Sequence, residues 1–74
     1  MTPKQIRSIR NRAGLSQASL AAIFNTHPMT ISKWEREGDD HRKPDGAAVA
    51  ALKMIKWATE QGLIDDVVNY LASE

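Results

Sequence analysis

The chain has no cysteine, which excludes disulfides and zinc sites built on thiolates. Its two histidines, His27 and His41, are too far apart in sequence and too few for a metal centre, so neither a metal nor a cofactor is expected. Aromatic residues make up only 5% of the chain. Together with Val, Ile and Thr they never form an alternating run of strand length, which leaves little from which to build a sheet. Long apolar runs are missing too. The longest, Ala47 to Leu52, is far too short to span a bilayer. Met1 to Gln5 lacks the apolar stretch of a signal peptide, so no membrane association and a cytoplasmic location are expected. Acidic residues are absent before Glu35: residues 1–33 carry five Lys/Arg and no acid, whereas residues 34–74 carry five Lys/Arg and nine acids. That asymmetry points to a basic face on the N-terminal half, suited to a polyanion, and an acidic C-terminal end.

What remains is 74 residues, 42% of them hydrophobic and 26% charged, a globular composition sized for one domain over residues 1–74. The apolar periodicity is helical throughout. Thr2 can cap a first helix with Pro3 in its first turn; Ile6, Ile9 and Ala13 recur on one face, and Gly14 stops it. Ser16 caps a second helix, Gln17 to Phe24, with Leu20, Ile23 and Phe24 inward. After the turn Asn25-Thr26-His27, Pro28 opens a third helix expected to run to about Glu37, where Gly38 ends it. Residues 38–46 read as a polar loop. Asp45 caps a fourth helix with Val49, Leu52, Met54 and Ile55 assigned to its core side and Gly62 at its end. A fifth, about Asp65 to Leu71, carries the stripe Ile64, Val67, Val68 and Leu71, with Asp65 and Asp66 favourably placed at its N-terminus.

Catalytic signatures are missing. Ser16, Ser32, His27 and Asp45 lack a nucleophile-elbow context, and there is no phosphate loop, HExxH motif or paired-carboxylate arrangement, so no enzyme is expected. Two short helices joined by a three-residue turn instead match a helix-turn-helix, over about residues 16–37. With Ile31 set toward the core and about 100° per residue, Trp34 and Glu35 stay on that side. Met29, Ser32, Lys33 and Arg36 fall opposite, an acid-free face that can enter a major groove without repelling phosphate.

The run Ile6-Arg7-Ser8-Ile9-Arg10-Asn11-Arg12-Ala13-Gly14-Leu15-Ser16-Gln17 resembles the opening of the Cro/lambda-repressor (Xre) family. Leu20-Ala21 and Thr30-Ile31-Ser32-Lys33-Trp34-Glu35 continue the pattern in register, and Lys43-Pro44-Asp45-Gly46-Ala47-Ala48 is similar to the loop of small members. The chain departs from the pattern at Asn25, where many members have Gly, and at Pro28 and Met29, where many have polar side chains. The resemblance implies an all-α, compact five-helix lambda-repressor-like domain that binds double-stranded DNA, usually as a dimer. It places Gln17 at a backbone phosphate and against the recognition helix. His27 and Pro28 stand at the start of that helix, and Met29, Ser32 and Lys33 occupy base-facing positions. Thr30 falls beside the backbone, and Arg42 and Lys43 lie in a loop that grips phosphate. Arg36, a turn beyond Ser32, is expected at phosphate. Arg10 and Glu35 occupy the positions of a structural ion pair. The C-terminal helices, about residues 46–73, are expected to complete the core and carry a homodimer contact through Trp57, Ile64, Val68 and Leu71. The expected function is a dimeric repressor, such as an autorepressor of a phage or mobile-element operon, bound to an inverted-repeat operator. An antitoxin that adds a protein partner to the same fold is the alternative.

Overall fold

The computed structural model describes residues 1–36 and 43–72. Among them are five helices and no strand: α1 (Pro3–Arg12), α2 (Gln17–Ile23), α3 (Pro28–Trp34), α4 (Gly46–Glu60) and α5 (Ile64–Ala72). Each of the first four begins on a side chain that accepts from an otherwise orphaned N–H. Thr2 Oγ1 accepts from the Gln5 N–H at 3.2 Å, while Gln5 Oε1 accepts from the Thr2 N–H at 2.8 Å, a reciprocal capping box. Ser16 accepts from Ser19, His27 Nδ1 from Met29, and Asp45 from Ala48, at 3.0, 3.0 and 2.8 Å.

Helices α1, α2 and α4 end in the same way, with paired six-to-one and five-to-two hydrogen bonds around a left-handed residue. In α1, Leu15 donates to the Arg10 carbonyl and Gly14, at φ 74°, to Asn11. In α2 the left-handed position falls on Asn25, at φ 54°, with Thr26 donating to Ala21 and Asn25 to Ala22. Asparagine tolerates this region better than any other side chain, which is how the fold accommodates a residue where glycine is usual. Gly14 has open space where a Cβ would stand, so only its backbone angle resists substitution. Gly14→Ala should therefore lower stability by about 1–2 kcal/mol, seen as a lower denaturant midpoint at unchanged slope.

Four side chains with no exposure, Ile6, Leu20, Ile31 and Leu52, come one from each of the first four helices and meet at the centre. Ile9, Ala21, Trp34, Ala48 and Ile55 surround them. Burying an Ile or Leu contributes about 1.5–3 kcal/mol each, so the four-way junction sets how α2 and α3 sit against α1 and α4. The Trp34 ring meets Phe24 edge to face, with centroids 5.4 Å apart and planes at 83°, which fixes the angle between α2 and α3.

Two expectations are corrected. Met54 does not face the core; it is 71% exposed. The buried face of α4 is Ala48, Leu52, Ile55 and Ala58, and a residue two positions from Leu52 lies nearly opposite it. Helix α3 ends at Trp34, with Glu35 as its C-cap, instead of running to about Glu37. The Arg7 guanidinium donates to the Glu35 carbonyl at 3.0 Å, so a side chain from α1 satisfies a carbonyl at this helix end. Glu37 and the expected stop at Gly38 lie outside the described residues. Helix α5 lies against α4 and α2. Its stripe is only partly covered: Ile64, Val67 and Val68 are half-buried and Leu71 is exposed.

Candidate nucleic-acid interface

Helix α3 is anchored at both ends and on one face. His27 caps it, and Pro28 takes the first position, where its missing N–H forfeits no hydrogen bond. Ile31 and Trp34 are buried, which fixes the helix's rotation and turns Met29, Ser32 and Lys33 away from the core. Met29 is exposed, and Ser32 and Lys33 are half-buried with their polar ends on the outer side of the helix. Arg36, exposed just past the helix end, reaches back to the Met29 sulfur at 3.9 Å. Met29, Ser32, Lys33 and Arg36 thus form one surface carrying two cations and no acid.

Among the described residues, the nearest carboxylate is taken out of play. Glu35 is 3% exposed. Arg10 grips it with two bonds, Nε to Oε2 at 2.6 Å and Nη2 to Oε1 at 2.9 Å, and gives a third to the Leu15 carbonyl at 3.0 Å. Gln17 Nε2 donates to Oε1 at 3.2 Å, and the Arg7 guanidinium lies 3.7 Å from the same oxygen. One carboxylate at the end of α3 therefore joins α1, the α1–α2 turn and α2. Burial pushes the Glu35 carboxyl up, but the hydrogen bonds from Arg10 and Gln17 and the charges of Arg10 and Arg7 outweigh it and hold it below the usual carboxylate range. The bond to Glu35 raises Arg10 against the opposing effect of its own burial.

A carboxyl depressed on folding stabilises the native state fully above its unfolded value, about 4.3, and loses that contribution as pH falls through the folded value. Stability should therefore drop on acidification below about pH 4.3. Glu35→Gln, which cannot titrate, should flatten that limb while lowering stability at pH 7; denaturant melts from pH 3 to 7 would measure both.

The other expected positions are distributed around this helix. Gln17, half-buried, directs its amide at Glu35. Thr30 is half-buried and lines one cleft with Phe24, Trp34, Lys43 and Asp45, which brings exposed Lys43 to the flank of α3. Arg42 lies outside the described residues. Trp57 is 58% exposed and Leu71 41%, whereas Val68 is half-buried and Ile64 packs against the core. Lys4 and Arg7 were missing from the expected set, yet they line a shallow cleft with Glu35 and Arg36 at the end of α3. The sequence signal was present, since Lys4, Arg7 and Arg10 recur every third residue on one side of α1, in a half of the chain without acids. Among the described residues no group of three His, Cys, Asp or Glu side chains could hold a metal ion, and no helix is long and apolar enough to cross a membrane.

A family model described as helix-turn-helix matches residues 6–52, from the middle of α1 through α2 and α3 into α4. No curated protein and no solved structure matches the chain.

Proposed function

From the chain's membership of the Xre/Cro-like helix-turn-helix family, whose members are DNA-binding transcription regulators, we propose that it is a dimeric repressor reading an inverted-repeat operator through the major groove. The observation that carries this reading is the outer surface of α3, which holds no acid, while Glu35 at the helix's C-cap is buried and paired with Arg10. Lys33 donates to guanine O6 or N7, Ser32 bonds a base edge, and Met29 packs on a thymine methyl. Arg36, Arg42, Lys43 and His27 supply backbone contacts, with Thr30 and Pro28 close by. Gln17 serves phosphate and braces Glu35 together. A single α3 makes too few contacts for high specificity, so two copies would place their α3 helices in successive major grooves roughly 34 Å apart.

The dimer contact falls to exposed apolar side chains of the C-terminal helices. Trp57 and Leu71 are the best placed, with Val68 beside them; Ile64 serves mainly the chain's own core. Trp57→Glu and Leu71→Glu should each weaken self-association about tenfold or more with little change in the melting of the monomer. Sedimentation equilibrium measures the first and dilute thermal melts the second. A dimer that survives both substitutions contradicts this choice of surface.

Titrating a symmetric and a half-site duplex over a range of salt tests the function itself. The reading requires two chains per symmetric duplex and a linear fall of log affinity with log salt. Binding that ignores salt would favour a protein-interaction role, the antitoxin reading without its operator.

A further inference from the structure

Helix α1 uses its two flanks differently. Arg7 and Arg10 turn toward Glu35 and α3, while Ile9 and Arg12 turn toward α4. There, together with Val49, Lys53, Lys56 and Glu60, they line a half-open groove of about 430 Å³. At its floor Ile9, 7% exposed, and half-buried Val49 make an apolar strip among the polar Gln5, Ser8 and Thr59. Its rim carries three cations against one carboxylate, and none of the four forms an ion pair among the described residues. The volume falls within the range of small-molecule sites, about 300–1,000 Å³. An apolar strip beneath unneutralised cations selects for one kind of ligand: a neutral hydrophobe would leave the rim unmatched, and a bare inorganic anion would leave the strip wet.

We propose that the α1–α4 groove binds a small organic anion with an apolar body, a carboxylate on an aliphatic tail. The carboxylate pairs with Arg12, Lys53 and Lys56 at the rim, and the tail covers Ile9 and Val49. Glu60 sets a limit, since a second anionic group on the ligand would meet its charge. The site lies on the flank of α1 opposite Glu35, so it can be tested without DNA and stands or falls apart from the regulator reading.

Sodium decanoate, kept below its self-association concentration, is the probe, followed by NMR shifts on the full chain. Decyltrimethylammonium, with a tail of similar length and opposite charge, is the control. Saturable shifts centred on Ile9, Val49 and Thr59 are expected with decanoate and not with the cation. Lys53→Gln combined with Lys56→Gln should weaken decanoate about fivefold or more and leave the melting temperature unchanged. Equal response to both amphiphiles, or shifts centred on Val67, Val68 and Leu71, would mean nonspecific apolar binding and overturn the proposal. Shifts of Ile9 and Arg12 on α1 on concentrating the protein alone, beyond those around Trp57 and Leu71, would mean that a second copy occupies the groove, and would overturn the proposal as well.

Discussion

Arg10→Ala is expected to destabilise the fold by about 3 kcal/mol, against a total of roughly 4–11 kcal/mol for a domain of this length. The melting temperature should fall by roughly 12–24 °C. The loss is large because Glu35 would stay buried without its main partner. Gln17 offers it one bond, at 3.2 Å, and Arg7 approaches only to 3.7 Å with its guanidinium already committed to the Glu35 carbonyl. Arg7 is itself 55% exposed on its side chain, so Arg7→Ala should cost under about 1 kcal/mol. Arg10→Lys should recover little, since an ammonium cannot reproduce the two-pronged grip on the carboxylate or the third bond to Leu15. Replacing both partners, Arg10→Met with Glu35→Leu, should restore most of the lost stability, because most of the penalty comes from an orphaned buried charge. If the double variant melts as low as Arg10→Ala, the lost attraction and not the orphaned charge dominates, and this apportionment fails.

Lys33→Ala should weaken binding to the preferred duplex by about 1–3 kcal/mol, roughly 5- to 150-fold, and relax the base preference at one position of each half-site. The melting temperature should hardly change, since the Lys33 side chain makes no hydrogen bond or ion pair among the described residues. Lys43→Ala should behave differently. Exposed at the flank of α3, it is assigned to phosphate, and its loss should weaken all sequences alike and lower the salt slope by about one counterion. Binding titrations of both variants on preferred and scrambled duplexes, at two salt concentrations, separate the roles. A Lys33→Ala protein with unchanged affinity and preference would remove α3 as the reading element.

What could be read from the sequence was what short stretches of chain decide alone. Thr2, Ser16 and Asp45 cap helices because a short polar side chain reaches its own backbone a few residues on. Gly14 and Gly62 mark helix ends because the left-handed turn suits them. Buried faces follow from spacing wherever the helix is long enough to average over; Met54, between Lys53 and Ile55, reads as core from its apolar character, although its spacing from Leu52 turns it outward. The early end of α3 was hidden for another reason: the group that satisfies Glu35's carbonyl comes from Arg7, 28 residues away. The same distance hid Arg7 and Lys4 as neighbours of Arg36. The outward face of α3 was legible because Ile31 and Trp34 bracket it, whereas the partial exposure of Val67, Val68 and Leu71 depends on how closely α5 approaches α2 and α4, which periodicity does not specify.

The central claim, that paired α3 helices read a symmetric operator, is tested most directly by selecting bound duplexes from a random pool with the unmodified protein and footprinting the winners. The account predicts an enriched inverted repeat whose half-site centres lie roughly 34 Å apart on one face of the duplex, with guanine N7 protected in both major grooves and two chains bound per site. A pool that converges on no sequence, or on an asymmetric half-site occupied by a single chain, would contradict it.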